Sequence, residues 1–259
     1  MLLALEVGNT NTVIGLYSGE TLVADWRMET HRERMADEWA ALLITLAGNR
    51  GYSLADMDAA ICSSVVPPVT TAMREMVERY LHTRLLIVEP GIKTGVKVNV
   101  DNPREVGADR IVNTLAAHTR YGGPAIVIDF GTATTFDVVS PEGEYLGGAI
   151  SPGLAISLDA LVRATSQLRR VELVAPRSSI GKNTVHAMQS GVVWGYIGLV
   201  EGIITRLRKD MGEIGEKVKV IGTGGLARLL SEHTDCMHIV DPNLTLDGLR
   251  MIYDLNRET

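Results

Sequence analysis

Apolar residues recur along the chain in two rhythms. Short apolar runs bounded by turn residues predict strands, and longer stretches with apolar residues three and four apart predict helices. The strand rhythm opens the chain: Leu2 to Val7 with Glu6 near its end, the polar turn Gly8-Asn9-Thr10-Asn11, a second run reaching Leu16, and a third from Glu20 to Arg27. Helical spacing follows. Trp39, Leu42, Leu43 and Leu46 share a face, and Asp37 and Glu38 fall in a first turn where the helix dipole favours acids. Ala59 to Ser64 predicts a strand that Pro67 and Pro68 stop, a helix follows around Thr70 to Tyr80, and Leu85 to Val88 predicts another short strand. This βββαβαβ order gives a mixed sheet with helices on its faces.

Pro103 and Gly107 then punctuate a loop, and a helix begins with Asp109 and Arg110 in its first turn and Ile111, Val112, Leu115 and Ala116 inward. After Gly122-Gly123-Pro124 the opening pattern returns. Ala125 to Ile128 predicts a buried strand ending in Asp129, the turn Gly131-Thr132-Ala133-Thr134-Thr135 follows, and runs at Phe136 to Val139 and Tyr145 to Ile150 complete it. Two β-β-β units half a chain apart predict an internal duplication, with lobes over 1–121 and 122–259. The remainder predicts helices at Leu154 to Arg163 and Val185 to Met211, a strand, glycine turn and helix over Val218 to Arg228, a short strand at His238 to Val240, and a terminal helix.

The repeated turn carries the candidate chemistry. Each offers backbone N–H groups and hydroxyls beside a carboxylate, Glu6 in one and Asp129 in the other. Such a turn suits phosphate oxygens, and the acid suits a hard cation that neutralises them. A plain Gly-Thr hairpin explains either turn alone; their repetition favours a pair of phosphate hairpins facing across a nucleotide cleft. Asp109 and Arg110 admit two readings, a helix-start acid with a surface arginine or an acid beside a bidentate anion-binding fork. Ser178 to Thr184 lacks the first glycine of a P-loop and a hydroxyl directly after Lys182, so it is not one. Gly222, Gly224 and Ala227 match the weak dinucleotide fingerprint, but too little chain follows to build that fold. Those glycines are expected to let backbone approach a nucleoside or phosphate.

Glycines at 191, 195, 198 and 202 weaken a helix unless something packs closely on them. A homodimer interface is favoured over a tight contact on the sheet. The 259 residues are 46% hydrophobic and 22% charged, ordinary for a globular protein, and the net charge of −6 opposes a broad nucleic-acid or anionic-membrane surface. No apolar run is read as spanning a bilayer. Cys62 and Cys236 lie far apart, as in a reduced cytoplasmic protein, and the six histidines show no metal-ligand spacing.

Taken together, Gly8-Asn-Thr-Asn-Thr12, Ser63-Ser-Val-Val-Pro-Pro68, Asn102-Pro-Arg-Glu-Val-Gly-Ala-Asp-Arg110, Asp129-Phe-Gly-Thr-Ala-Thr-Thr135, Gly181-Lys-Asn-Thr184 and Gly222-Thr-Gly-Gly225 resemble the type III pantothenate kinases. These belong to the actin-like superfamily of sugar kinases, actin and heat-shock chaperones. The resemblance covers essentially the whole chain. It implies an α/β fold of two duplicated ribonuclease H-like lobes, each a mixed sheet of five-stranded type flanked by helices. It also implies ATP-dependent phosphorylation of pantothenate, the opening step of coenzyme A synthesis, by a cytoplasmic homodimer. By motif position Glu6, Val7, Gly8, Asn9, Thr10, Asn11, Thr12 and Val13 would hold ATP phosphates, and Gly131, Thr132 and Gly224 would contact ATP. Gly107, Ala108, Asp109 and Arg110 would hold pantothenate, with Arg110 on its carboxylate and Asp109 accepting the hydroxyl proton. Thr184 would reach pantothenate across the dimer interface. Asp129 would bind potassium or ammonium, and magnesium would travel with the nucleotide near Glu6.

Two positions depart from the family pattern. Glu6 stands where the pattern has Asp, and the extra methylene moves the carboxylate by about an ångström, a displacement that costs on the order of a hundredfold in rate when uncompensated. Val100 stands where many relatives carry a Tyr lining the pantothenate pocket. At the usual carboxylate pKa of about 3.9, Asp109 orients the hydroxyl and takes its proton late. The second functional reading is a nucleotide-binding regulator of the same fold, resembling the Bvg accessory factors. The intact Asp109 and Asp129 count against it.

Overall fold

The computed structural model describes residues 1–257. Its backbone contacts divide the chain into two compact units, Met1–Ala116 with the stretch from Asn243 onward, and Ala117–Pro242.

The first unit holds β1 (Leu2–Val7), β2 (Asn11–Ser18), β3 (Thr21–Glu29), β4 (Ala59–Ser64) and β5 (Leu85–Ile87), arranged β3-β2-β1-β4-β5. β2 runs antiparallel to β1 and β3, while β4 runs parallel to β1 and β5. Side chains alternate across β1. Leu3, Leu5 and Val7 pack under α1 (Ala36–Gly48) and α2 (Pro67–Met76), against Trp39, Leu43, Val69 and Met73. Leu2 and Ala4 face the other way, toward Val112 of α3 (Ala108–Tyr121) and Leu246, Leu249 and Ile252 of α8 (Leu244–Asn256). By the same alternation Glu6 points to the α3 and α8 side.

The second unit repeats the plan. It holds β6 (Ala125–Phe130), β7 (Ala133–Val139), β8 (Tyr145–Pro152), β9 (Lys219–Thr223) and β10 (Ile239–Val240), in the order β10-β9-β6-β7-β8. Read from the other edge, that is the order of the first sheet, strand for strand. β6 pairs antiparallel with β7 and parallel with β9, as β1 does with β2 and β4. The duplication expected from the sequence is therefore present, and the mixed five-stranded sheets are as expected. Around them lie α4 (Leu154–Arg163), α5 (Thr184–Gln189), α6 (Gly195–Asp210) and α7 (Ala227–Ser231). Ile126, Ile128 and Phe130 pack on Val193, Tyr196, Ile197 and Val200, which puts Asp129 on the opposite face of the sheet.

Two expectations change. The terminal helix, assigned from sequence to the second lobe, packs on the first sheet instead; Tyr17 donates to Asp247 at 2.6 Å, and a Cβ on Gly248 would lie 2.4 Å from the Val112 carbonyl oxygen. The stretch Thr184–Asp210 forms a helix of 27 residues, with a π-helical segment at Ser190–Trp194 between α5 and α6. By length and composition alone it is long and apolar enough to cross a membrane. Its apolar side is spent on the second sheet, where Met188, Val193, Tyr196, Ile197, Val200 and Ile204 are buried.

Candidate active site

The first hairpin turn is fixed from behind. Gly8 N–H donates to the Asn11 carbonyl at 2.9 Å, closing the turn, and Thr12 is fully buried beneath it. Thr30 holds the turn from the end of β3. Its hydroxyl donates to the Gly8 carbonyl at 2.8 Å and lies 2.9 Å from the Thr12 hydroxyl, and its N–H donates to the Thr10 carbonyl at 2.9 Å. Thr30 has no role in the sequence reading: a lone Thr ahead of the charged run His31 to Arg34 carries no mark of a brace. Asn9, Thr10 and Asn11 are exposed at the tip, Val7 is buried, and Glu6 and Val13 are half-buried and paired across the strands.

The second hairpin is built alike. Gly131 N–H donates to the Ala133 carbonyl at 3.1 Å, and Gly153 N–H donates to the Thr132 carbonyl at 3.0 Å, so the β8–α4 corner braces the turn. Asp129 occupies the penultimate position of β6, as Glu6 does of β1. It lies opposite Thr135 on β7 and Thr223 on β9, where Glu6 has Val13 and Ser63. Gly224, at φ +86°, packs directly on this strand end. A Cβ there would lie 2.6 Å from Asp129 Oδ1 and 2.8 Å from both the N and the O of Phe130. Gly222 is equally constrained, since its Cβ would sit 2.2 Å from Met237 Sδ. Packing within the protein therefore requires glycine at both positions.

At the start of α3, Gly107 and Asp109 form one local unit. A Cβ on Gly107 would fall 2.4 Å from Asp109 Oδ1, so only glycine leaves room for that carboxylate. The same oxygen accepts the Arg110 backbone N–H at 3.0 Å, and the Gly107 carbonyl accepts that N–H at 3.1 Å. Burial raises the Asp109 carboxyl above the usual carboxylate range, against the lowering pull of these bonds and of the Arg110 charge. Sequence reasoning assigned Asp109 an ordinary pKa; desolvation makes it a stronger base than that. Ala108 and Arg110 are half-buried beside it. Thr184 is exposed at the first turn of α5, behind Asn183, whose side chain caps the His186 N–H at 2.9 Å. Val100 is half-buried.

Among the described residues, no group of three or more His, Cys, Asp or Glu could hold a metal ion. The donors at the two hairpins are single carboxylates with hydroxyl and carbonyl oxygens, a hard set that fits an alkali or alkaline-earth cation and not zinc.

Two sheets of one topology, each opening on a glycine-hydroxyl hairpin with an acid at its root, define an actin-like fold. Solved structures agree on the fold: a protein assigned to the Baf family of transcriptional activators from Campylobacter jejuni matches at TM-score 0.62 and 20% identity, covering 99% of this chain and 100% of that one. The activator of 2-hydroxyisocaproyl-CoA dehydratase from Clostridium difficile, solved with bound ADPNP, matches at TM-score 0.51 and 14% identity, covering 99% and 94%. Sequence relatives narrow the class. The type III pantothenate kinase family model matches residues 2–206. A type III pantothenate kinase of Moorella thermoacetica is 51% identical over 99% of this chain and 100% of its own, and one of Myxococcus xanthus is 50% identical over 99% of each. The chain belongs to the type III pantothenate kinase family.

Proposed function

We propose that this kinase transfers the γ-phosphoryl group of ATP to the terminal hydroxyl of pantothenate with Asp109 as the proton acceptor. The observation that carries the reading is the Gly107–Asp109 unit, a half-buried carboxylate with raised pKa at a helix start, in a chain related to pantothenate kinases over its full length. Phosphoryl transfer passes through a loose transition state, so the protein's work is positioning and charge neutralisation. Glu6 to Val13 hold ATP phosphates through turn N–H groups and hydroxyls, and Gly131, Thr132 and Gly224 contact ATP at the second hairpin. Gly107, Ala108 and Arg110 hold pantothenate, Arg110 reading its carboxylate as a planar fork. Asp109 orients the acceptor hydroxyl and takes its proton, which its raised pKa favours. Asp129 would hold potassium or ammonium and Glu6 would face nucleotide-borne magnesium; when bound, such cations neutralise charge on the transferred group.

A cytoplasmic homodimer completes the proposal. Gly191, Gly195 and Gly198 are exposed with nothing within 4 Å of a built Cβ, so contact with this chain's own sheet does not explain them. Ile150, Ile180 and Val185 of the same unit are also at least half exposed. Thr184, at the head of this helix, joins the pantothenate site in that assembly. The regulatory alternative is not favoured, since full-length relatives at about half identity carry the kinase name.

A product-resolved assay with ATP, magnesium and pantothenate, with and without potassium, tests the reading on this chain and on Glu6→Asp. Potassium-dependent 4′-phosphopantothenate from the unmodified chain is expected. No product from either, with ATP still bound, would reject it.

A further inference from the structure

The second hairpin does not stand on its own strands alone. Thr134, the residue after Ala133 at the start of β7, is buried on the side of the sheet that faces the glycine-rich helix. There its hydroxyl is hydrogen-bonded to the phenolic hydroxyl of Tyr196, in the first turn of α6. Tyr196 is 5% exposed, and its hydroxyl also lies 3.4 Å from the Pro152 carbonyl. Pro152 belongs to the same corner that braces the turn, where Gly153 N–H meets the Thr132 carbonyl and a Cβ on Gly153 would lie 2.3 Å from that oxygen. Ser151, the cross-strand partner of Thr134, is buried alongside. One phenol therefore ties together β7, the β8–α4 corner and α6. Beyond these hydroxyls the sheet interior is apolar, with Phe136, Val138, Val193 and Ile197 in the same core. A small polar node in such surroundings directs geometry, because its members can bond only within it.

We propose that Tyr196 is a positioning residue for the ATP-binding hairpin: its hydroxyl holds Thr134 and the β8–α4 corner in register, and so sets where the Gly131–Thr132 turn presents its N–H groups. The inference rests on the reading of Gly131 and Thr132 as ATP contacts. Burial also pushes the Tyr196 phenol above its ordinary pKa, which keeps it neutral and able to donate and accept at once. The first unit achieves the same end differently. Its turn is braced by the Thr30 hydroxyl from an adjoining strand, whereas the second is braced from a helix.

The test is steady-state kinetics with ATP and pantothenate varied separately. Tyr196→Phe keeps the ring and removes one hydrogen-bonding oxygen. It should raise the KM for ATP about three- to tenfold, the equivalent of one hydrogen bond, and leave the KM for pantothenate unchanged. Thr134→Val should reproduce the effect, Thr134→Ser should restore the parent value, and the double variant should be no worse than either single one. Should Tyr196→Phe fail to fold, the Thr134→Val and Thr134→Ser pair carries the same comparison. Unchanged ATP KM in Tyr196→Phe and Thr134→Val, with a raised value in Thr132→Val, would overturn the role of Tyr196 alone. Unchanged ATP KM in Thr132→Val would remove the hairpin reading and this inference with it.

Discussion

Replacing Gly224 by alanine measures how tightly the second hairpin's acid is held. At φ +86° the backbone is left-handed, and an L side chain there costs about 1–2 kcal/mol. The added methyl also meets Asp129 Oδ1 at 2.6 Å and the Phe130 backbone at 2.8 Å. The carboxylate oxygen can swing aside, but the Phe130 peptide lies within the β6 ladder and cannot move without disturbing it. Overpacking of this kind costs about 1–3 kcal/mol. The sum is about 2–5 kcal/mol, and at about 2–4 °C per kcal/mol for a chain of this size Tm should fall by roughly 4–20 °C. Thermal unfolding by circular dichroism reads this, with Gly48→Ala as the control, since nothing lies within 4 Å of a Cβ there. The same variant displaces the Asp129 carboxylate, so the potassium concentration for half-maximal activity should rise. A Gly224→Ala protein melting within about 1 °C of the parent would refute the close-approach argument, and an unchanged potassium requirement would detach Asp129 from the cation.

Three further outcomes follow from single contacts. Asp109→Asn should lower kcat by about 10²–10⁴-fold. A buried carboxyl with raised pKa favours the folded state at low pH and loses that contribution as pH rises through its folded pKa, so the same variant should raise Tm near pH 7; a lowered Tm, or an acid limb of kcat/KM within the usual carboxylate range, would contradict this. Thr30→Val removes the bonds to the Gly8 carbonyl and the Thr12 hydroxyl and should cost about 1–3 kcal/mol in urea unfolding while raising the KM for ATP, with Thr30→Ser restoring both. Gly198→Ala is a test by sign: in an isolated chain with open space beside it the change stabilises the helix by about 0.5–1 kcal/mol, whereas at a close subunit contact it weakens the dimer, which light scattering against dilution resolves.

The sheets were legible because their strands announce themselves locally. An apolar run, an acid and a glycine-hydroxyl turn within a dozen residues suffice to place β1 with β2 and β6 with β7, and their repetition predicted the duplication, while the strand order within each sheet came from the structure. Gly107 and Asp109 were legible as a motif, though not as the steric pair they form, because a missing side chain carries no periodic signal. The partner of the first sheet's second face was not legible. α8 has the apolar spacing of any surface helix, and what assigns it to the first sheet is a match to residues far earlier in the chain, as the Tyr17–Asp247 bond across 230 positions shows. The raised Asp109 pKa was hidden for a similar reason, since burial arises from tertiary packing and not from neighbours in the chain. The packing role of the glycines at 222 and 224 was not legible, because a close approach looks the same in sequence whether the visitor is a phosphate or Met237 and Phe130.

The discontinuous first unit also sets an order of events during synthesis. The second unit is one uninterrupted stretch, Ala117–Pro242, and can close as soon as it has left the ribosome. The first unit begins to emerge earlier but finishes later, because Leu244, Leu246, Leu249 and Ile252 are made only after the second is complete. Until then Leu2, Ala4, Tyr17 and Ile61 present an apolar face that α3 covers only in part. For that interval the nascent chain is half enzyme and half client, and its dependence on chaperones should track the delay before α8 is made.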